Sequence, residues 1–124
     1  MKHSEGFLAL VNDAKSRIRE LTVAETQARM GQNNAAKLID VREDHEWEAA
    51  HAAGATHLGK GIIERDIEKT VPDKTTEMIL YCGGGYRSAL VADVLQKMGY
   101  MNVFSMAGGW KAWKESGGEI LTEQ

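Results

Sequence analysis

The segment Glu77-Met78-Ile79-Leu80-Tyr81-Cys82 runs straight into Gly83-Gly84-Gly85. A short apolar run of this kind reads as a strand buried on both faces. A chain that contains it must cover that strand from two sides. The next segment supplies one cover: Ser88-Ala89-Leu90-Val91-Ala92-Asp93-Val94-Leu95 is expected to begin a helix that reaches Met98 and stops at Gly99.

The same alternation recurs along the sequence. Phe7, Val11, Ala14, Ile18 and Leu21 recur every three or four residues, an amphipathic helical stripe extending at least through Lys15. Thr22-Val23-Ala24-Glu25 has capping-box spacing and predicts a helix ending near Gly31. Lys37 to Val41 is a second apolar run, read as a strand, and Glu43 to His51 is rich in helix formers. Ala55 to Leu58 reads as a short strand, and Ile62, Ile63 and Ile67 suggest helical turns ended by Pro72-Asp73. Asn102 to Ser105 is the last strand, and Gly108 to Glu115 the last helix, with Trp110 and Trp113 spaced to share a face. Strands alternating with helices predict a parallel α/β sheet with helices on both faces.

The bulk properties set limits. The chain has 124 residues, which suits one domain, here 1–124. A net charge of −3 leaves no basic field for nucleic acid or an anionic membrane. Any bound anion must therefore be held locally. Cys82 is the only cysteine, so neither an intramolecular disulfide nor a cysteine-rich metal site is available. His45, His51 and His57 are spaced by six residues, which suits neither a helical metal pair nor a zinc finger. No metal or cofactor is expected. The start of the sequence has no secretory pattern and no run approaches a membrane span, so a cytoplasmic location is the default expectation.

Ligands of open α/β sheets bind beyond the carboxyl ends of strands, and Cys82 sits at such an end. The glycines allow positive φ and close ligand approach. Consecutive loop amides can form an anion-binding nest, and the next helix turns its positive dipole end to the same point. Such surroundings favour a thiolate over a thiol. Arg87 is the only fixed positive charge in the loop and is positioned to hold an oxyanion. A cysteine ending a strand is often only a small apolar residue. Here the combination with three glycines, an arginine and a helix start points to a thiolate nucleophile acting on an anionic substrate.

Cys82-Gly83-Gly84-Gly85-Tyr86-Arg87-Ser88 resembles the active-site loop of the rhodanese-like family. Leu38-Ile39-Asp40-Val41-Arg42-Glu43 is similar to that family's "DVRE" strand end. Glu46-Trp47-Glu48-Ala49-Ala50-His51-Ala52-Ala53-Gly54-Ala55 is similar to its "E-W-x-x-G-H-I-P-G-A" segment, and Ala107-Gly108-Gly109-Trp110 to its terminal "x-G-G-W". Order and spacing agree from about Ile18 to Gly118, leaving 1–17 as an N-terminal helical extension on a core of 18–118.

The resemblance implies a five-stranded parallel sheet and a thiosulfate sulfurtransferase. Cys82 is then the nucleophile, and Gly83, Gly84, Gly85, Tyr86, Arg87 and Ser88 bind the substrate. Asp40 and Arg42 support the loop, in a structural role. Tyr86 is expected to point outward and to shape the pocket or contact a partner, Ser88 to cap the following helix rather than donate a hydrogen bond to the sulfur, and His51 to make a structural hydrogen bond. Lys60 reads chiefly as a solvated lysine. The implied partners are a small anionic sulfur donor and a thiol or cyanide acceptor. Two alternatives stand beside this one: a persulfide carrier that serves a protein acceptor, and a non-catalytic binding module. Four residues separate Cys82 from Arg87, whereas cysteine phosphatases and arsenate reductases use Cys-x5-Arg. Gly83 also stands where two-domain thiosulfate sulfurtransferases often carry Arg, which implies a less cationic loop and weaker binding of thiosulfate.

Overall fold

The computed structural model describes residues 3–122. Strands β1 (Arg19–Leu21), β2 (Lys37–Asp40), β4 (Ala55–His57), β5 (Met78–Tyr81) and β6 (Val103–Met106) form one all-parallel sheet in the order β1-β6-β5-β2-β4. Helices α1 (Glu5–Lys15), α2 (Val23–Gln32), α3 (Asp44–Ala49), α4 (Ile63–Thr70), α5 (Tyr86–Lys97) and α6 (Gly109–Glu115) surround it. A small antiparallel pair, β3 (His51–Ala52) with β7 (Ile120–Leu121), stands apart from the main sheet.

The strand period of two sorts the core into halves. Met78, Leu80 and Cys82 face one side with Ile39, Val41 and Val103, and pack on Ile63 and Ile67 of α4 and Val91, Ala92 and Leu95 of α5. Ile79 and Tyr81 face the other side with Leu38, Phe104 and Met106, against Val23 of α2 and Trp113 of α6. All four residues of β5 are buried, as a central parallel strand requires. Cys82, one residue past β5, thus inherits the α5 side.

Helix α2 carries the full capping box, in which Thr22 Oγ1 accepts from Glu25 N–H and Glu25 Oε1 accepts from Thr22 N–H. It runs to Gln32 and passes through Gly31 rather than stopping there. The first helix is shorter than its apolar stripe. It ends at Lys15, capped by Ser16, and the continuation Arg19–Leu21 is an edge strand beside β6. Leu21 is buried against the sheet, and Arg19 lies over the Phe104 ring at 4.3 Å. Sheet pairing there overrides a stripe that local periodicity alone extends as helix. Helix α1 packs on α5 through the buried Val11 and Ala14. Past its end, Arg17 grips Asp93 of α5 by two bonds of 2.9 and 2.8 Å and also bonds Asp13. These bonds hold the Asp93 carboxyl below its ordinary range. The Gln96 amide donates to the Arg17 carbonyl.

At the carboxyl end of the sheet, α6 lies directly against the backbone after β5. Trp110 N–H donates to the Cys82 carbonyl at 2.7 Å and Lys111 N–H to the Gly83 carbonyl at 3.2 Å. Gly109 has φ +53°, and a Cβ there would collide with the Cys82 carbonyl oxygen and lie 3.0 Å from Gly83. Gly109→Ala is therefore expected to destabilise the fold by about 2–4 kcal/mol, from overpacking plus left-handed strain. Gly117 has φ +79° but open space around it. Gly117→Ala carries only the strain, about 1 kcal/mol. Urea unfolding followed by tryptophan fluorescence should show the larger loss at position 109.

Candidate active site

Cys82 is 1% exposed, and its sulfur is surrounded by donors from the chain that follows it. Gly85 N–H points at Sγ from 3.2 Å and Ser88 N–H from 3.3 Å. The turn that brings them there depends on Gly85, which has φ +97° and is the N-cap of α5. Among the three glycines only Gly85 uses the left-handed region. A Cβ at Gly85 would also lie 3.2 Å from the Gly108 amide nitrogen. Helix α5 begins at Tyr86, two residues earlier than the sequence pattern suggests. Its first turn thus forms part of the sulfur site, with the positive end of its dipole at Sγ.

Ser88 does not cap this helix. It is 0% exposed, in the first turn of α5, with Oγ 3.5 Å from Sγ and 2.8 Å from Ser105 Oγ. Ser105 lies on β6 and shares the α5 side of the sheet with Cys82 by strand alternation. A polar residue inside the apolar run Val103-Phe104-Ser105-Met106 was the available sequence signal for it.

Arg87 reaches the site from α5, but its charge is already paired. Its Nη1 and Nη2 donate to Glu46 of α3 at 2.9 and 3.3 Å. The guanidinium holds the Glu46 carboxyl below its usual range, and the carboxylate raises the arginine further. Glu46 also accepts from Glu43 N–H, which closes a capping box at the start of α3. Arg87 thus lines the site as one half of an ion pair. Glu46 lay in the sequence pattern beside Trp47 without an assigned role.

Asp40 and Arg42 are both buried, at 0% and 3% exposure, and form an ion pair with Nη2–Oδ2 2.8 Å. Arg42 also donates to the Ala50 carbonyl at 2.7 Å and lies 4.6 Å from the Trp110 ring centre. Its link to the loop passes through Trp110, whose amide holds the Cys82 carbonyl. Tyr81 Oη accepts from Ala52 N–H beneath this cluster, and burial together with the Asp40 carboxylate pushes its hydroxyl well above the ordinary tyrosine range. His51 stacks on Trp47 at 3.5 Å, with Nδ1 3.1 Å from the Trp47 carbonyl. Lys60 lines a separate small cavity with Ile63, Glu64 and Leu90, away from Cys82.

A cavity of about 390 Å³ opens onto Cys82. Gly83, Gly84 and Arg87 form one part of its wall, and Tyr86, Phe7 and His3 another. The Tyr86 ring shapes this cavity and meets His3 at 4.5 Å and Phe7 at 6.3 Å.

This arrangement can be set beside known proteins. The family model described as the rhodanese-like domain matches residues 22–116. The thiosulfate sulfurtransferase GlpE of Coxiella burnetii is 35% identical over 77 residues, covering 62% of this chain and 70% of GlpE. A Rhodopseudomonas palustris structure, RPA3614, described as a protein of unknown function and possible tyrosine phosphatase, superposes with TM-score 0.85 and 28% identity, covering 98% of each chain. The polysulfide-sulfur transferase homodimer of Wolinella succinogenes superposes with TM-score 0.82 and 25% identity, covering 96% of this chain and 89% of that one. A five-stranded parallel sheet, a cysteine at the end of its central strand and a match over residues 22–116 together place this chain in the rhodanese-like family.

Proposed function

We propose that the chain is a sulfurtransferase that carries sulfane sulfur on Cys82 as a persulfide. One observation carries this reading: two main-chain N–H groups, from Gly85 and Ser88, converge on a buried sulfur at the first turn of α5. Charge-assisted bonds of this kind favour an anionic sulfur. They serve the attacking thiolate and again the thiolate released at the end of the cycle.

The reaction has two half-reactions. The Cys82 thiolate attacks the outer sulfur of thiosulfate or a similar donor. A bond forms from Sγ to that sulfur, the donor's S–S bond breaks, and its electron pair leaves on sulfite. An acceptor nucleophile, cyanide or a thiol, then attacks the outer sulfur of the persulfide, and the pair of the Sγ–S bond returns to Sγ. The sequence holds no second thiol, so the acceptor is not another cysteine of this chain. Glu46 partners Arg87, so the loop's own cation is already paired when a dianionic donor arrives. Thiosulfate therefore binds weakly, and a donor of lower charge fits better.

Incubation with thiosulfate should add one sulfur atom to the intact mass, reversibly with cyanide, and Cys82→Ser should add none. Absence of any gain with thiosulfate, mercaptopyruvate or a small-molecule persulfide would leave a binding module as the better account. Ser88→Ala removes a hydroxyl from the anionic sulfur while the amide stays. Hydrogen bonds to charged groups contribute about 1.5–3 kcal/mol. Alkylation of Cys82 by iodoacetamide at pH 7 is therefore expected to slow by about tenfold, and an unchanged rate would remove Ser88 from the site's chemistry. Glu46→Gln keeps the cap on Glu43 N–H and frees the Arg87 charge. At roughly 1 kcal/mol for a unit charge at 4 Å in a water-like medium, KM for thiosulfate should drop about fivefold.

A further inference from the structure

Helix α1 begins before the residues that match the family model, yet it supplies a wall of the cavity over Cys82. Phe7 and His3 come from this end of the chain, and the Tyr86 ring closes against both. The helix is not loosely placed. Ser4 Oγ caps it by accepting from Phe7 N–H, Val11 and Ala14 are buried against α5, and Arg17 fastens its far end to Asp93. Lys15 adds a cation 5.4 Å from the Tyr86 ring centre. The aromatic wall is thus held in position before any ligand arrives.

We propose that this wall makes α1 an acceptor-selecting element, and that the acceptor is an organic thiol with an aromatic or extended apolar body. The inference rests on the sulfur-transfer reading above and specifies who empties the persulfide. Three observations support it. The volume of about 390 Å³ lies in the range of pockets for small organic ligands. Bare cyanide or sulfite leaves most of that space to water. Aromatic side chains favour stacked or edge-on contact with an apolar body, and Phe7 and Tyr86 stand on the cavity wall beside Cys82. Arg87, the one cation of the loop, is tied to Glu46, so its charge is already partnered before a carboxylate- or sulfonate-rich acceptor arrives.

The chemistry balances without a further reactant. The acceptor thiolate attacks the outer sulfur of the Cys82 persulfide and forms a new S–S bond. The Sγ–S bond breaks and its electron pair returns to Sγ, facing the Gly85 and Ser88 amides. The product is an organic persulfide.

The test loads wild type and Phe7→Ala with one sulfur, checks the mass, and measures discharge by benzyl mercaptan and by cyanide. Aromatic contacts contribute about 0.5–1.5 kcal/mol beyond buried area, so the benzyl mercaptan-to-cyanide ratio of kcat/KM should fall about fivefold in Phe7→Ala. The change should lie in KM. Phe7→Tyr keeps the ring and should restore most of the ratio, which separates wall contact from a fault in folding. If both acceptors slow equally in Phe7→Ala, or if the ratio does not move, α1 is a structural brace and the inference fails while the persulfide reading stands. A wild-type chain that gains no sulfur overturns both.

Discussion

The seating of α6 on the backbone after β5 is the constraint on which the site depends. Two N–H groups at the start of α6 hold the carbonyls of Cys82 and Gly83, and the contact is so close that only glycine fits at position 109. With those carbonyls turned toward α6, the chain must reverse at once to enter α5. It does so through Gly85 at positive φ, which a side chain at that position would strain. The reversal brings the Gly85 and Ser88 amides onto Sγ. The two glycine-rich segments, far apart in sequence, are therefore one device: one helix start fixes the loop's carbonyls and the other presents its amides.

The electrostatics follow the same economy. Asp40 and Arg42 are buried together, and such a pair is held by complementary bonds because either partner alone would be a costly buried charge. Its location explains its use: the guanidinium ties the β2 end to the Ala50 carbonyl and lies against Trp110, whose amide clasps the loop. Arg87 and Glu46 form the second pair, half-buried at the cavity. Arg17 and Asp93 form a third, which fixes α1 beside α5. The first pair sits at one strand end, whereas the second and third join a cation to a carboxylate from a different part of the chain. The pairs position elements and leave the sulfur to main-chain N–H dipoles, which carry no counter-charge of their own.

Much of this was legible in the sequence. The buried β5 run, the capping box at Thr22, the alternation of strands and helices, and Cys82 at a strand end all follow from local pattern. What was not legible came from distance. Leu21 continued a helical stripe, and only pairing with β6 turns Arg19–Leu21 into a strand. Ser88 has the type and position of a helix cap, but Gly85 takes that place because the loop must reverse first. The Arg87 ion pair was hidden because its partner Glu46 lies 41 residues earlier, in α3. Phe7 carried a helical stripe signal that could not reveal which end of the sheet it would reach.

Ser105 completes the surroundings of the sulfur. The Ser88 and Ser105 hydroxyls lie 2.8 Å apart, and either can donate. With a thiol, S–H donates to Ser88 Oγ, and Ser88 O–H in turn donates to Ser105 Oγ. With a thiolate, the chain reverses: Ser105 O–H donates to Ser88 Oγ, and Ser88 O–H donates to Sγ. Each hydroxyl oxygen keeps a hydrogen-bond partner in both states. On the proposed persulfide cycle, the hydroxyl pair across α5 and β6 adapts to the sulfur's proton by rotating while the backbone stays fixed.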